Sequence, residues 1–193
     1  MNPDQRANIE SAIHAVGESI FNAWRYFHLL KGLQQGAKAD PDNLLVHAIA
    51  IDVTYRAVFD ALYAVIGTVC DKTKGTLSLP NLINMGRRYS QDSEKNGFLV
   101  SAQTALTDPK HAPLIKLSNW RHKHVAHRTQ ESRIQEVYTN NKLQLGEVEE
   151  AIDMLDRIAN DVSAALTQTR YDWHTAAEPV ASNCASLLTR NAA

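Results

Sequence analysis

The chain has 193 residues, enough for one domain with a sizeable core, and its charges nearly cancel at a formal net of −1. A neutral surface of this kind excludes a globally basic nucleic-acid binder, so any attraction for an anion must be local. Cys70 and Cys184 lie far apart with no metal-type spacing, which favours a reducing cytosol over a disulfide scaffold.

The first predicted element is a helix from Pro3, with Asn2 as its cap. The start Met1-Asn2-Pro3-Asp4-Gln5-Arg6 does not read as a secretory signal. Ile9, Ile13, Val16, Ile20, Trp24, Phe27 and Leu30 recur at gaps of three and four and mark one buried face. Gly32 and Gly36 are expected to end this helix, with a turn over Gly36–Asn43. Asp40 and Pro41 open a second helix carrying Leu44, Ala48, Ile51, Tyr55, Val58, Leu62, Val65 and Val69. It is apolar around more of its circumference than the first, which predicts a central position. Asp52, Arg56 and Asp60 stand at four-residue spacing, as a solvated ion-pair stripe or as the polar lining of a cleft.

Asp71–Gly75 reads as a loop, followed by a short helix after Ser78 with Pro80 in its first turn. Gly86–Gly97 is polar and is expected to be loose. Phe98–Leu106 reads as a short helix stopped by Asp108-Pro109, and Pro113 begins another that carries Leu114, Ile115, Leu117 and Trp120. Gln130–Leu145 lacks periodicity. Glu147–Arg170 is a strong helix with Val148, Ile152, Leu155, Ala159, Val162 and Leu166 on its apolar face. Its acidic first turn suits the positive end of the helix dipole. These elements predict an all-α, antiparallel bundle of four to five main helices. The division expected is a helical domain over residues 1–174 and a weakly ordered tail over 175–193, with at most a short helix around Ser186–Arg190. No apolar run reaches the ~18–20 residues a membrane span needs.

Ser118–Thr129 is the stretch where chemistry is concentrated. Arg121, His122, Lys123, His124, His127 and Arg128 fall within eight positions. Four readings compete for it. The first is a basic, exposed helix end. The second is a metal site built on His122, His124 and His127; no carboxylate or thiol completes that set, and the neighbouring cations would repel an ion. The third is anion binding, with Lys110, Lys116, Arg121, Lys123, Arg128 and Arg133 opposed only by Asp108 and Glu131. Trp120 serves that reading as a stacking surface, or else anchors the segment in the core.

The fourth reading is RNA cleavage without metal. Histidine suits proton transfer near neutral pH, and arginine suits phosphate because its guanidinium is planar, charged and bidentate. Arg121 and His127 supply those groups. Six residues of ideal helix turn about 240° net, so the two side chains share a face only if the helix ends between them or a second chain contributes.

The run Arg121, polar His122, then His127 resembles the R-x(4–6)-H signature of the HEPN superfamily, and within it the AbiU-like abortive-infection branch. A Trp-bearing first helix, a long second helix, Asp71-Lys72 followed by Leu77-Ser78-Leu79, and a closing amphipathic helix extend the resemblance over roughly Asn2–Trp173. The resemblance implies a bundle of four or five helices that commonly dimerises, and in many members a metal-independent endoribonuclease of phage defence or a toxin–antitoxin system. It makes Arg121 the phosphate-holding arginine and His127 the catalytic histidine. His122 takes the polar position more often held by Asn or Asp. His124 inherits no role. Some such toxins carry a Tyr, modified by a partner nucleotidyltransferase, where this chain has Thr129, so that control is not expected.

The expectation is therefore a cytoplasmic HEPN-type ribonuclease, with Arg121, His127 and His122 catalytic and Lys116, Lys123 and Arg128 contacting RNA. No metal or other cofactor is expected, and no membrane. The expected partners are RNA, a second copy of the chain, and an antitoxin or defence-system protein. The alternative is a HEPN module that binds RNA, nucleotide or protein without cleaving.

Overall fold

The computed structural model describes residues 2–108, 110, 112–120 and 143–189, and among them every regular element is helical. Helix α1 spans Pro3–Ala39. Its start is the one the sequence calls for. The Asn2 side chain accepts from the Gln5 backbone N–H at 2.8 Å, and the Gln5 side chain accepts from the Asn2 N–H at 2.9 Å, with Pro3 in the first turn. All seven residues of the predicted apolar face are buried.

The expected stop at Gly32 and Gly36 is wrong. The helix runs through both and breaks only at Asp40, whose backbone leaves the helical region (φ −137°, ψ 81°) ahead of Pro41, where the proline ring disfavours helix. Both glycines instead lie beneath the final helix. A Cβ at Gly32 would stand 2.5 Å from the Ala181 carbonyl oxygen, and one at Gly36 would stand 2.6 Å from Leu188 Cδ1. Glycine costs up to ~1 kcal/mol inside a helix, and the backbone contact it permits here offsets that cost.

Helix α2 spans Pro41–Val69 and departs from helical geometry at His47 (φ −111°, ψ 15°). The expectation of a central helix holds for its second half alone. Val58, Leu62, Tyr63, Ile66 and Val69 are buried, whereas Leu45, Val46, Ile49 and Val53 in the first half face solvent. Arg56 pairs with Asp52 at 3.0 Å on the exposed surface, so this part of the polar stripe is the solvated ion pair.

The loop after α2 is held by side chains. Asp71 accepts from the Thr73 N–H at 2.9 Å. Ser78 Oγ donates to the Asp71 carbonyl at 2.6 Å, and Asn81 Nδ2 reaches the Thr73 carbonyl at 2.7 Å. Gly75 takes the one left-handed position in the loop (φ +89°).

Helix α3 is Leu79–Tyr89 and α4 is Ser93–Ala105. The expected loose stretch at 86–97 is thus mostly helix. Gly86 lies inside α3, and Asp92 caps α4 by accepting from Glu94 N–H at 2.9 Å and Lys95 N–H at 3.2 Å. Only Leu99 and Ala102 of α4 are buried, which left no periodicity to read before Phe98. Helix α5 is Ala112–Trp120, anchored by Leu114 and Leu117, and α6 is Leu145–Thr167, closed by Gln168 in the left-handed region at φ 61°.

The chain past residue 174 is another correction. Helix α7 (Trp173–Ala177) and helix α8 (Pro179–Thr189) pack along α1 in place of the expected weakly ordered tail. Val180, Ala181, Cys184, Ala185, Leu188 and Thr189 are the half-buried positions of α8, spaced for one face, but mostly too small or polar to register as an apolar stripe. Gly32→Val should lift α8 from α1. We expect faster thermolysin cleavage at Leu187–Leu188 and a loss of roughly 1–3 kcal/mol in urea unfolding; an unchanged digestion rate would contradict the contact.

Candidate functional site

Helix α5 brings the chain to the basic stretch. Leu114 and Leu117 hold it against α2 and α6, and its last residue, Trp120, immediately precedes Arg121 in sequence. Arg121, His122, Lys123, His124, His127 and Arg128 lie outside the described residues, as do the histidines weighed as metal ligands and most of Gln130–Leu145.

Lys116, the remaining predicted RNA contact, is described. Its Nζ stands 3.2 Å from Glu147 Oε1, with each side chain about one-third exposed at 33%. The same carboxylate caps α6 through Glu147 Oε2, which accepts from the Gln144 N–H at 2.7 Å. The Gln144 N–H first, and then the Lys116 ammonium, hold the Glu147 carboxyl below its usual range. Lys116 thus fastens α5 to the start of α6. On one side of α5 lies a cleft of about 240 Å³ between Cys70, Lys72, Pro80, Leu106, Thr107, Leu114 and Ile115. It is mainly apolar, and among the described residues that line it Lys72 is the one cation.

A second polar group went unforeseen in the sequence. Trp24 Nε1 of α1 donates to Asp156 Oδ2 of α6 at 2.8 Å, and Asn160 Nδ2 donates to Asp156 Oδ1 at 2.6 Å. Asn160 Oδ1 accepts from the Tyr171 N–H at 2.7 Å, which draws in the segment leading to α7. His28 lies beside both Trp24 and His174, with ring centroids at 5.8 and 5.3 Å, while those two rings pack 4.2 Å apart, and its buried Nε2 has no hydrogen-bond partner among the described residues. The signal for this group was present as two i,i+4 pairs, Trp24/His28 and Asp156/Asn160, on facing helices. It is a structural connection between α1, α6 and α7.

Its titration follows from its burial. Burial chiefly, with His174 and Lys31 nearby, lowers the His28 pKa below 6.5, against the smaller opposing pull of Glu178 and Glu149. Burial raises the Asp156 pKa above 3.8, opposed by the bonds from Trp24 and Asn160. As pH falls through 6.5 the unfolded chain takes up a proton that folded His28 resists, so this group costs stability there. Asp156 acts with the opposite sign further down. Folded Asp156 binds its proton first, so its contribution improves as pH falls towards 3.8. Urea midpoints should therefore drop between about pH 7.5 and 5.5, and His28→Phe should flatten that slope. An equal slope in both proteins would contradict the assignment.

Among the described residues the protein is an all-helical bundle, as a HEPN domain is expected to be. The chain matches the family model described as AbiU2 over residues 7–185, and it belongs to that family of HEPN domains, which relates it to abortive infection. No curated protein and no solved structure matched. The matched span encloses the whole basic stretch and reaches into α8. Among the described residues no helix is long and apolar enough to cross a membrane.

Proposed function

We propose that the chain is a metal-independent endoribonuclease that acts in phage defence or as the toxin of a toxin–antitoxin system. The observation that carries this reading is the AbiU2 match over residues 7–185, with Arg121 and His127 at HEPN spacing inside it. In the proposed reaction His127 transfers the proton as the RNA 2′-hydroxyl attacks the adjacent phosphorus and the 5′-oxygen leaves. Arg121 holds the non-bridging oxygens, where negative charge accumulates. His122 orients the pair. Lys123 and Arg128 contact the backbone, and Lys116 contributes least because its ammonium already serves Glu147. The protein works in the cytoplasm as a homodimer, and an antitoxin or defence-system protein restrains it.

Purified protein should bind single-stranded RNA with an affinity that falls as salt rises, and should cut it in EDTA. Salt-dependent binding without cleavage would leave a non-catalytic HEPN module. No binding at low salt would remove RNA as the partner.

A further inference from the structure

Helices α3 and α4 leave a groove between them that neither the fold nor the proposed chemistry uses. Asn84, Arg87 and Arg88 line it from α3, and Asn96, Gly97 and Val100 from α4, around a space of about 550 Å³. That volume falls within the ~300–1,000 Å³ of small-molecule sites. The three α3 side chains share one exposed face by i,i+3 and i,i+4 spacing, turned away from buried Leu82, Ile83 and Gly86. None of the described residues lining the groove is acidic. Among the described residues neither arginine has an ion pair, and the Asn84 amide makes no hydrogen bond. Gly97 stands where a Cβ would meet no atom within 4 Å, whereas at Gly86 a Cβ would stand 2.9 Å from Leu166 Cδ2. Glycine inside a helix costs stability, and at Gly97 packing does not ask for it. What its missing side chain provides is room in the groove.

We propose that this groove binds a small sugar phosphate, with its phosphate monoester on Arg87 and Arg88 and its hydroxyls on Asn84 and Asn96. A phosphate monoester carries about −1.5 to −2 charges near pH 7, which two guanidiniums match, and each guanidinium can hold two of its oxygens. An asparagine amide donates through its nitrogen and accepts through its oxygen, so it pairs with a hydroxyl either way. Asn96 Nδ2 donates to the Ser90 carbonyl at 3.2 Å, while its buried Oδ1 has no partner among the described residues, an acceptor that a ligand hydroxyl would satisfy. Exposed Val100 offers an apolar edge to the carbon skeleton. Other occupants fit less well. No described residue lining the groove is aromatic, so a nucleotide base has nothing to stack on. An RNA strand needs a cationic track, and here the cations stop. Helix α3 has no other Lys or Arg, and none occurs from Asn96 to Asp108. At the start of α4, Asp92 and Glu94 are exposed carboxylates that would repel a longer polyanion. Cations in the last turn of α3 also suit the negative end of that helix, but that role asks for neither Asn84 nor Gly97 beside them.

The site does not rest on the cleavage reading, and its test contains no RNA. Isothermal titration calorimetry of the full chain at low salt should show glucose 6-phosphate or ribose 5-phosphate binding at one molecule per chain, with glucose and ribose silent. Arg87→Gln and Arg88→Gln should each weaken that binding at least tenfold. Asn84→Ala should weaken the sugar phosphate and leave the weaker binding of inorganic phosphate unchanged. Gly97→Leu should block both while raising the urea midpoint, because it fills the groove and removes a glycine from a helix. Binding lost in that variant is therefore not folding lost. No saturable binding of either sugar phosphate at millimolar concentration would overturn the proposal. So would binding indifferent to both arginine variants, inorganic phosphate binding as tightly as the sugar phosphates, or AMP binding more tightly than either.

Discussion

Replacing His127 with alanine should slow RNA cleavage by about 10²–10⁴-fold, the usual contribution of a positioned proton-transfer group. Binding and folding should survive, because the change removes an imidazole and leaves the surrounding cations in place. Arg121→Ala should nearly abolish cleavage by a different route, slowing it by about 10²–10³-fold through lost stabilisation of the phosphorane oxygens. His124→Ala should be mild, because no role falls to it. Single-turnover rates on one RNA, with helicity and RNA affinity measured alongside, check all three. The wild-type rate should depend on a group near histidine's reference pKa of ~6.5, and that dependence should disappear with His127. In cells, growth arrest on expression should be relieved by either motif substitution.

The largest effect on stability should come from Trp24. Its ring is buried between α1 and α7, with Phe27 at 5.8 Å and His174 at 4.2 Å, and its N–H is a donor to buried Asp156. Trp24→Ala removes the ring, at about 3–5 kcal/mol for a large aromatic. It also leaves Asp156 Oδ2 without that donor, a further 1–3 kcal/mol in order of magnitude. Against the roughly 5–15 kcal/mol that holds a domain together, such a loss unfolds a large share of the molecules. Urea unfolding followed by circular dichroism measures it. Trp24→Phe should cost less, since it keeps most of the packing and loses the bond. If Trp24→Phe matched Trp24→Ala, the hydrogen bond rather than the ring would carry the contribution.

Much of this fold was legible because its helices carry broad apolar faces. The seven-residue face of α1, the Asn2 cap and the apolar set of α6 are all where periodicity and capping place them. Legibility failed where burial depends on small residues. Gly32 and Gly36 read as terminators, but they are the seat of α8. The Ala and Ser content of α8 read as a weakly ordered tail for the same reason. Helix α4 was half missed because it buries only Leu99 and Ala102 and relies on the Asp92 cap. The buried Trp24–Asp156–Asn160 connection was missed because each residue is ordinary alone, and only packing brings them together. The candidate site was legible as residue types and spacing, Arg121 and His127 six apart. Spacing alone does not bring two side chains to one phosphate, because on an ideal helix these two diverge by about 240°.

The ends left on the cut RNA test the central claim most directly. Attack by the 2′-hydroxyl must leave a 2′,3′-cyclic phosphate on one fragment and a 5′-hydroxyl on the other, and in EDTA no added metal ion is needed for it. The wild-type protein should yield those ends in EDTA, and the His127→Ala protein should yield almost none. Fragments ending in 3′-hydroxyl and 5′-phosphate, or cyclic-phosphate products undiminished in the His127→Ala protein, would contradict the account.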